Sequence, residues 1–324
     1  MKCSICGNDA ENKCIVLTEL YFQFNSSFPY FECIKCGCIQ IERIPDDLGK
    51  YYPKNYYSFH LQEIPLNVSF LRKIHYQNFA NKKYPFSGFF ISKIFKPSGF
   101  HYWLKKLNVK DTDTHILDIG CGNGNLLKRI FRLGFNNLLG IDPFLEKEQK
   151  IATNFAIEKK EIFDLNDQFD VVMMHHSLEH MDRQHDVIEQ FSKLLKPNGH
   201  GLIRIPIVSI PLMERFGKYV VSLDPPRHLF VHSINSIQYL LEMHGLEIYD
   251  TVYDADLFSI KASEQYKQGI ALADKEKSYI ENPSASIFSN EDDIRFAKEI
   301  KELNLAHSSD NVALYIRKKN KIYV

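Results

Sequence analysis

The chain has 324 residues and seven cysteines, four of which fall as Cys3-x2-Cys6 and Cys33-x2-Cys36 with 26 residues between the pairs. A Cys-x2-Cys turn converges two thiolates, and Gly7 and Gly37 follow the pairs where the backbone needs a residue tolerant of positive φ. Four sulfurs close a tetrahedron, so the spacing predicts a structural zinc site on Cys3, Cys6, Cys33 and Cys36. Disulfides are disfavoured because the start, MKCSICGND, lacks the apolar stretch of a secretory signal. A redox pair is disfavoured because the same dithiol occurs twice in one short segment. Cys14 and Cys38 read as spare cysteines, and Cys121 as a small residue in a tight loop.

A second concentration of chemistry lies in THILDIGCGNGNLLKRIF. Ile116, Leu117 and Ile119 form a buried-strand run, and Leu126, Leu127, Ile130 and Phe131 recur at helical spacing beyond a glycine loop. Strand, loop and helix in that order place a ligand at the carboxyl end of a central strand. A dinucleotide loop would need a glycine at position 125, which is Asn125. The glycines are Gly120, Gly122 and Gly124, preceded by Asp118, and Asp142 ends a second strand, LLGIDPF, further on. Two histidine-bearing stretches follow. MMHHSLEHM ends a strand and carries His175 and His176, which alternate in direction, so at most one faces the loop, with His176 preferred. SLDPPRHLFVHS gathers Asp224, Arg227, His228 and His232 around Pro225 and Pro226. The prolines stiffen this loop. His176-x-x-Glu179-His180 also matches a zinc-peptidase string, a reading weakened by its place at a strand end inside a complete cofactor domain.

Asp118-x-Gly120-x-Gly122-x-Gly124 resembles motif I of class I S-adenosylmethionine-dependent methyltransferases. The resemblance implies that the glycines admit the methionine part of the cofactor. It also implies that Asp118 faces the ammonium, that Asp142 takes the ribose hydroxyls, and that Glu161 and Ile162 lie on the adenine-contacting loop, with His175 near the cofactor. The DPPRHL loop resembles that of methyltransferases of the quinone and polysaccharide-biosynthesis family. In that frame His228 is the expected general base, Asp224 orients it, Arg227 binds an anionic or hydroxyl-rich acceptor and His176 is a further catalytic candidate. An Arg227–Asp224 pair that merely pins the loop is the competing reading. The Asn/Asp-Pro-Pro-Tyr string of nucleobase amine methylases is replaced by His175-His176-Ser177-Leu178.

These residues need an α/β scaffold. The expected fold is a Rossmann-like seven-stranded class I methyltransferase sheet with helices on both faces, closed by NVALYIRKK as an antiparallel last strand, plus a small N-terminal β zinc ribbon. The expected boundaries are 1–60 for the ribbon and its tyrosine-rich stretch, 61–112 for a basic, aromatic helical connector, and 113–324 for the methyltransferase domain, with an insertion at about 254–310. Lys plus Arg equals Asp plus Glu at 40 each, so no overall basic field draws nucleic acid. Residues 64–110 nevertheless carry nine Lys or Arg and no acid, and peripheral membrane contact is a candidate there beside a solvated connector. The resemblance makes the expected activity methylation of a hydroxyl, or less readily a carbon, of a lipid- or nucleotide-linked sugar in surface polysaccharide biosynthesis. An RNA methyltransferase docking through the ribbon and a quinone-type O-methyltransferase of small molecules remain open, and the expected location is cytoplasmic.

Overall fold

In the computed structural model, residues 1–53, 64–83 and 94–319 are described. Tyr56 and Tyr57 of the tyrosine-rich stretch, and Tyr84, Phe86, Phe89, Phe90 and Lys93 of the basic segment, lie outside them.

The main sheet is built from β4 (Ile116–Ile119), β5 (Leu138–Ile141), β6 (Gln149–Ala152), β7 (Phe155–Glu158), β8 (Phe169–His175), β9 (Leu195–Pro206), β11 (Leu246–Tyr253) and β12 (Asn311–Lys318). Its order is β11-β12-β9-β8-β4-β5-β7-β6. Five central strands are parallel, and β12 runs antiparallel between β9 and β11. The sheet has eight strands, one more than expected. The extra strand is β6, which turns back antiparallel on β7 and caps the edge. Its half-exposed sequence, QKIA, lacks the apolar run that marks the buried strands.

Helices cover both faces. On one face lie α1 (Phe70–Asn81), α2 (Gly99–Lys106) and α3 (Asn125–Phe131), where Tyr76, Leu104 and Leu127 share a core with Ile116, Phe135 and Val171. On the other lie α4 (Gln184–Leu194), α5 (Ile210–Phe216) and α6 (Ile234–Met243). Helices α7 (Leu257–Lys267) and α8 (Asn290–Leu305) fill the insertion between β11 and β12. No helix among the described residues is long and apolar enough to cross a membrane.

The N-terminal strands β1 (Lys13–Thr18), β2 (Ser27–Glu32) and β3 (Ile39–Ile41) form a second sheet, completed by β10 (Phe230–Val231) from far down the chain. Phe230 pairs with Gln40 and Val231 with Ile39. Leu17, Tyr30 and Ile39 therefore sit in the same apolar core as Leu178, Ile207 and Leu229. The ribbon is fused to the main sheet through shared hydrogen bonds and a shared core.

Candidate active site

At the carboxyl end of β4 the glycine loop turns through three left-handed residues, Gly120, Gly122 and Gly124, with φ of 72°, 52° and 71°. A Cβ on Gly124 would stand 1.8 Å from Ile157 Cδ1, and one on Gly120 2.4 Å from Ser177 Cβ. Glycine is therefore required by both conformation and space. Asp142 holds the loop: its Oδ2 accepts from Gly122 N at 2.9 Å and its Oδ1 from Phe144 N at 2.9 Å. Asp118 is 2% exposed and its Oδ1 has no hydrogen-bond partner among the described residues. Burial, with the nearby Asp142 charge, pushes its carboxyl up to about 8. A buried carboxyl with an unpartnered oxygen at this end of the strand suits a cationic ligand group, which would favour its ionised form.

The remaining residues expected at the cofactor separate. Ile162 is buried in the apolar core, so its side chain packs the fold rather than standing open to a ligand. Glu161, Phe163 and Asp164 are the exposed members of that turn, Phe163 lying 4.8 Å from the Arg183 guanidinium. His175 ends β8 with its ring 4.9 Å from Trp103, and burial together with Arg204 keeps it neutral. Arg204 stacks on the other partner of this group, lying 4.7 Å from the Trp103 ring, and pairs with Asp254 at 2.9 Å. At His176 the backbone turns left-handed (φ 51°), ending the strand alternation and leaving the ring exposed.

Beyond His176 the chain makes a 3-10 turn, Leu178–His180, not the α-helix that a zinc peptidase needs to set two imidazoles one turn apart. Glu179 is 1% exposed and neither carboxylate oxygen has a hydrogen-bond donor among the described residues. His176 Nδ1 lies 3.5 Å from its Oε1, too long for a hydrogen bond. Burial alone would raise this carboxyl, but His176, His180 and His228 around it hold it at about 2. Leu229 N donates to Glu179 O at 2.8 Å, so the 3-10 turn and the DPPRHL loop are tied together.

That loop carries Asp224, with φ of 31°, and a cis Pro225–Pro226 bond. Arg227 was expected to bind the acceptor, and the structure places it elsewhere. Its side chain is fully buried, donating to Asp224 Oδ2 at 2.8 Å, Glu19 Oε1 at 2.9 Å and Tyr51 O at 3.2 Å, with Tyr21 5.2 Å from the guanidinium. It pins the loop to the ribbon, the role of the competing reading, because no face of the guanidinium is open to a ligand. Asp224, which burial would raise, is held below the ordinary carboxylate range by Arg227 and the adjacent imidazoles. His228 donates from Nδ1 to Ser222 O at 2.8 Å, its Nε2 lies 4.0 Å from Asp224 Oδ2, and burial lowers its pKa against the pull of Asp224. It is thus a neutral imidazole whose Nε2 carries the lone pair. His232 is internal: it bonds Gln184 and Ser236 at 3.0 Å each.

Glu19 and Tyr30 were not visible as site residues, whereas Tyr52 belongs to the tyrosine-rich stretch that reads equally as a lid or as an aromatic linker. Tyr30 Oη donates to His228 O at 2.8 Å, and Tyr52 Oη lies 3.2 Å from His180 Nδ1. Two open cavities, of about 480 and 420 Å³, lie around Arg215 and Phe296 and around Lys261 and Tyr279, at the insertion and lined by none of these loop residues.

The four cysteines converge. Cys3 Sγ is 3.7 Å from Cys36 Sγ, Cys6 Sγ is 3.5 Å from Cys33 Sγ, and all four lie within 4.8 Å of one another. Zinc–sulfur bonds of about 2.3 Å in a tetrahedron set sulfurs about 3.8 Å apart, so the set fits zinc. Gln40 Nε2 donates to Cys3 Sγ at 3.1 Å, the outer-shell support such thiolates need. Ser233 Oγ bonds Cys36 O, and His185 Nε2 donates to Ile5 O at 2.9 Å, fastening the knuckles to α6 and α4.

Strand order, glycine loop and terminal acids define an S-adenosylmethionine-dependent methyltransferase domain. Residues 98–251 match the family described as "Methyltransferase domain". The chain is similar to the ubiquinone biosynthesis O-methyltransferase of Pelagibacter ubique (33% identity, covering 26% of this chain and 38% of that protein). It is also similar to that of Colwellia psychrerythraea (29% identity, 43% and 63%). The aligned part is under two thirds of either relative. Among solved structures, a putative sarcosine dimethylglycine methyltransferase from Galdieria sulphuraria aligns over 86% of this chain and 100% of its own at a TM-score of 0.47 and 14% identity.

Proposed function

We propose that the chain is an S-adenosylmethionine-dependent O-methyltransferase acting on a small hydroxyl compound of the quinone-precursor type. The relatives' names support this acceptor over the glycan expected from the loops. The observation that carries the chemistry is His228, a neutral imidazole with its Nδ1–H committed to Ser222 O. Its 3-10 neighbour begins at Ser177, which packs against Gly120 of the cofactor loop.

Methyl transfer is an in-line displacement at the sulfonium carbon, so the protein must align the acceptor oxygen and remove its proton. Asp118 faces the cofactor's ammonium and Asp142 its ribose, while His228 Nε2 takes the hydroxyl proton. The carbon–sulfur bond breaks as the carbon–oxygen bond forms. Zinc on Cys3, Cys6, Cys33 and Cys36 would be structural, holding β3 where it pairs with β10 and where Tyr30 reaches His228 O.

Replacing His228 with Ala tests the role. Loss of the base should cut kcat about 10²- to 10⁴-fold with cofactor affinity kept. Because burial lowers the His228 pKa, the acid limb of the wild-type kcat profile should fall below the ordinary imidazole range near 6.5. Undiminished turnover in the variant, or an acid limb above pH 7, would contradict the assignment.

A further inference from the structure

We propose that Arg72, His75, His101 and Arg132 form a binding site for a phosphate group, on the face of the main sheet covered by α1, α2 and α3. The site stands apart from the glycine loop. That loop leads into the first residue of α3, whereas Arg132 follows its last, about 10 Å further along at 1.5 Å per residue. The methyl-transfer chemistry proposed above uses none of these four residues.

The fold brings these groups together. Arg72 and His75 lie on α1 and His101 on α2. Ser69, which caps α1, donates its amide to Arg132 O at 3.4 Å, and this sets the first turn of α1 against the end of α3. The His75 and His101 rings lie 5.7 Å apart, and the Phe95 ring lies 4.8 Å from the Arg72 guanidinium and 6.1 Å from His75. No Asp or Glu occurs between residues 64 and 110 or between 119 and 141. No ion pair among the described residues joins Arg72 or Arg132 to a carboxylate.

A solvated basic face keeps its polar heads in water. Here His75 is 4% exposed, and His75 Nε2 and Arg132 Nε are both buried with no hydrogen-bond partner among the described residues. A buried polar atom without a partner carries a desolvation cost that a ligand oxygen would remove. At His101 the Ser98 amide donates to Nδ1 at 3.1 Å, so the neutral ring carries its proton on Nε2, which has no acceptor among the described residues. The charges also oppose one another. Burial and the Arg132 charge pull Arg72 below its ordinary range, burial and Arg72 lower His75, and burial with His75 and Arg72 takes His101 down to about 4. An anion seated among them turns that mutual repulsion into attraction. Phosphate suits the set better than carboxylate: the donors come from three elements, a tetrahedral phosphate turns oxygens in several directions, and guanidinium forks bind it in pairs. Val68, Phe70, Leu71 and Ile94 are exposed on the same segment, so a lipid headgroup and a soluble phosphate ester are two sources of one chemistry.

Calorimetric titration of the zinc-replete chain, saturated with S-adenosylhomocysteine to fill the cofactor loop, with inorganic phosphate should show one saturable site per chain. Affinity should fall roughly tenfold or more in Arg72→Gln and in Arg132→Gln. It should hold within about twofold in Lys110→Gln, which removes the same charge from an exposed position of the same segment. Retained S-adenosylhomocysteine affinity marks a folded variant, and if Arg132→Gln loses it, Arg72→Gln gives the same reading. A second arm sediments the protein with phosphatidylcholine vesicles with and without phosphatidic acid. Sedimentation only with phosphatidic acid, lost in the arginine variants and kept in Lys110→Gln, assigns the phosphate to a lipid headgroup. Inorganic phosphate binding without such sedimentation assigns it to a soluble ester. No saturable binding in either arm, or losses no greater in the arginine variants than in Lys110→Gln, overturns the site.

Discussion

Burial beside Asp142 keeps a proton on Asp118 up to about pH 8, and a methionine ammonium can pair with this carboxyl only after that proton has gone. The folded-state pKa lies above the unfolded value of about 3.9, so the free protein favours the protonated carboxyl and loses stability as pH rises through the window from about 4 to about 8. Cofactor binding relieves that cost. Calorimetric titration should therefore show affinity for S-adenosylmethionine rising from pH 6 to pH 8, and Asp118→Asn should weaken binding at least tenfold and flatten the slope. Arg227 makes a different prediction. Its guanidinium lies between two buried carboxylates, Glu19 and Asp224. Arg227→Leu leaves both without the guanidinium, Glu19 keeping only the Phe22 and Phe24 amides, and should cost about 3–5 kcal/mol in a urea melt. A loss under 1 kcal/mol would mean that the pair is not buried as described.

The ribbon's strands gain meaning from what they touch. Strand β3 pairs with β10, one residue beyond Leu229, and Tyr30 on β2 holds His228 O. Stripping zinc, or replacing Cys33 with Ser, should loosen the DPPRHL loop. Turnover should fall more than tenfold while S-adenosylhomocysteine affinity, which depends on β4 and its loop, changes less than twofold. Equal loss of both would mean that the ribbon supports the whole fold. The glycine loop was legible because its spacing is local: strand, turn and helix lie within twenty residues of one another. The eighth strand was not, since QKIA is short, half exposed and weakly patterned. Nor was the pairing of β10, two residues long and separated from β3 (Ile39–Ile41) by more than half the chain. Asp224, Arg227 and His228 announced a charged loop, but only three dimensions show that Glu19, 208 residues away, satisfies the arginine and turns it inward.

At the scale of the molecule, two sheets share one core and meet at a seam lined by Glu179, His180 and His228 on one side and Tyr30 and Tyr52 on the other. On the proposed function, the cofactor end would be set by the main sheet alone, whereas the acceptor end would be assembled from both sheets. That division explains why the donor half of the reaction follows from motif spacing and the acceptor half does not. The direct measurement is transfer of labelled methyl from S-adenosylmethionine to a panel of catechols and prenylated hydroxybenzoates, nucleotide-linked sugars, and transfer RNA, using the zinc-replete chain. The proposed O-methyltransferase activity predicts label on a phenolic oxygen, abolished by Asp118→Asn and by His228→Ala. Label in RNA, or on a sugar with none on a phenol, would contradict it.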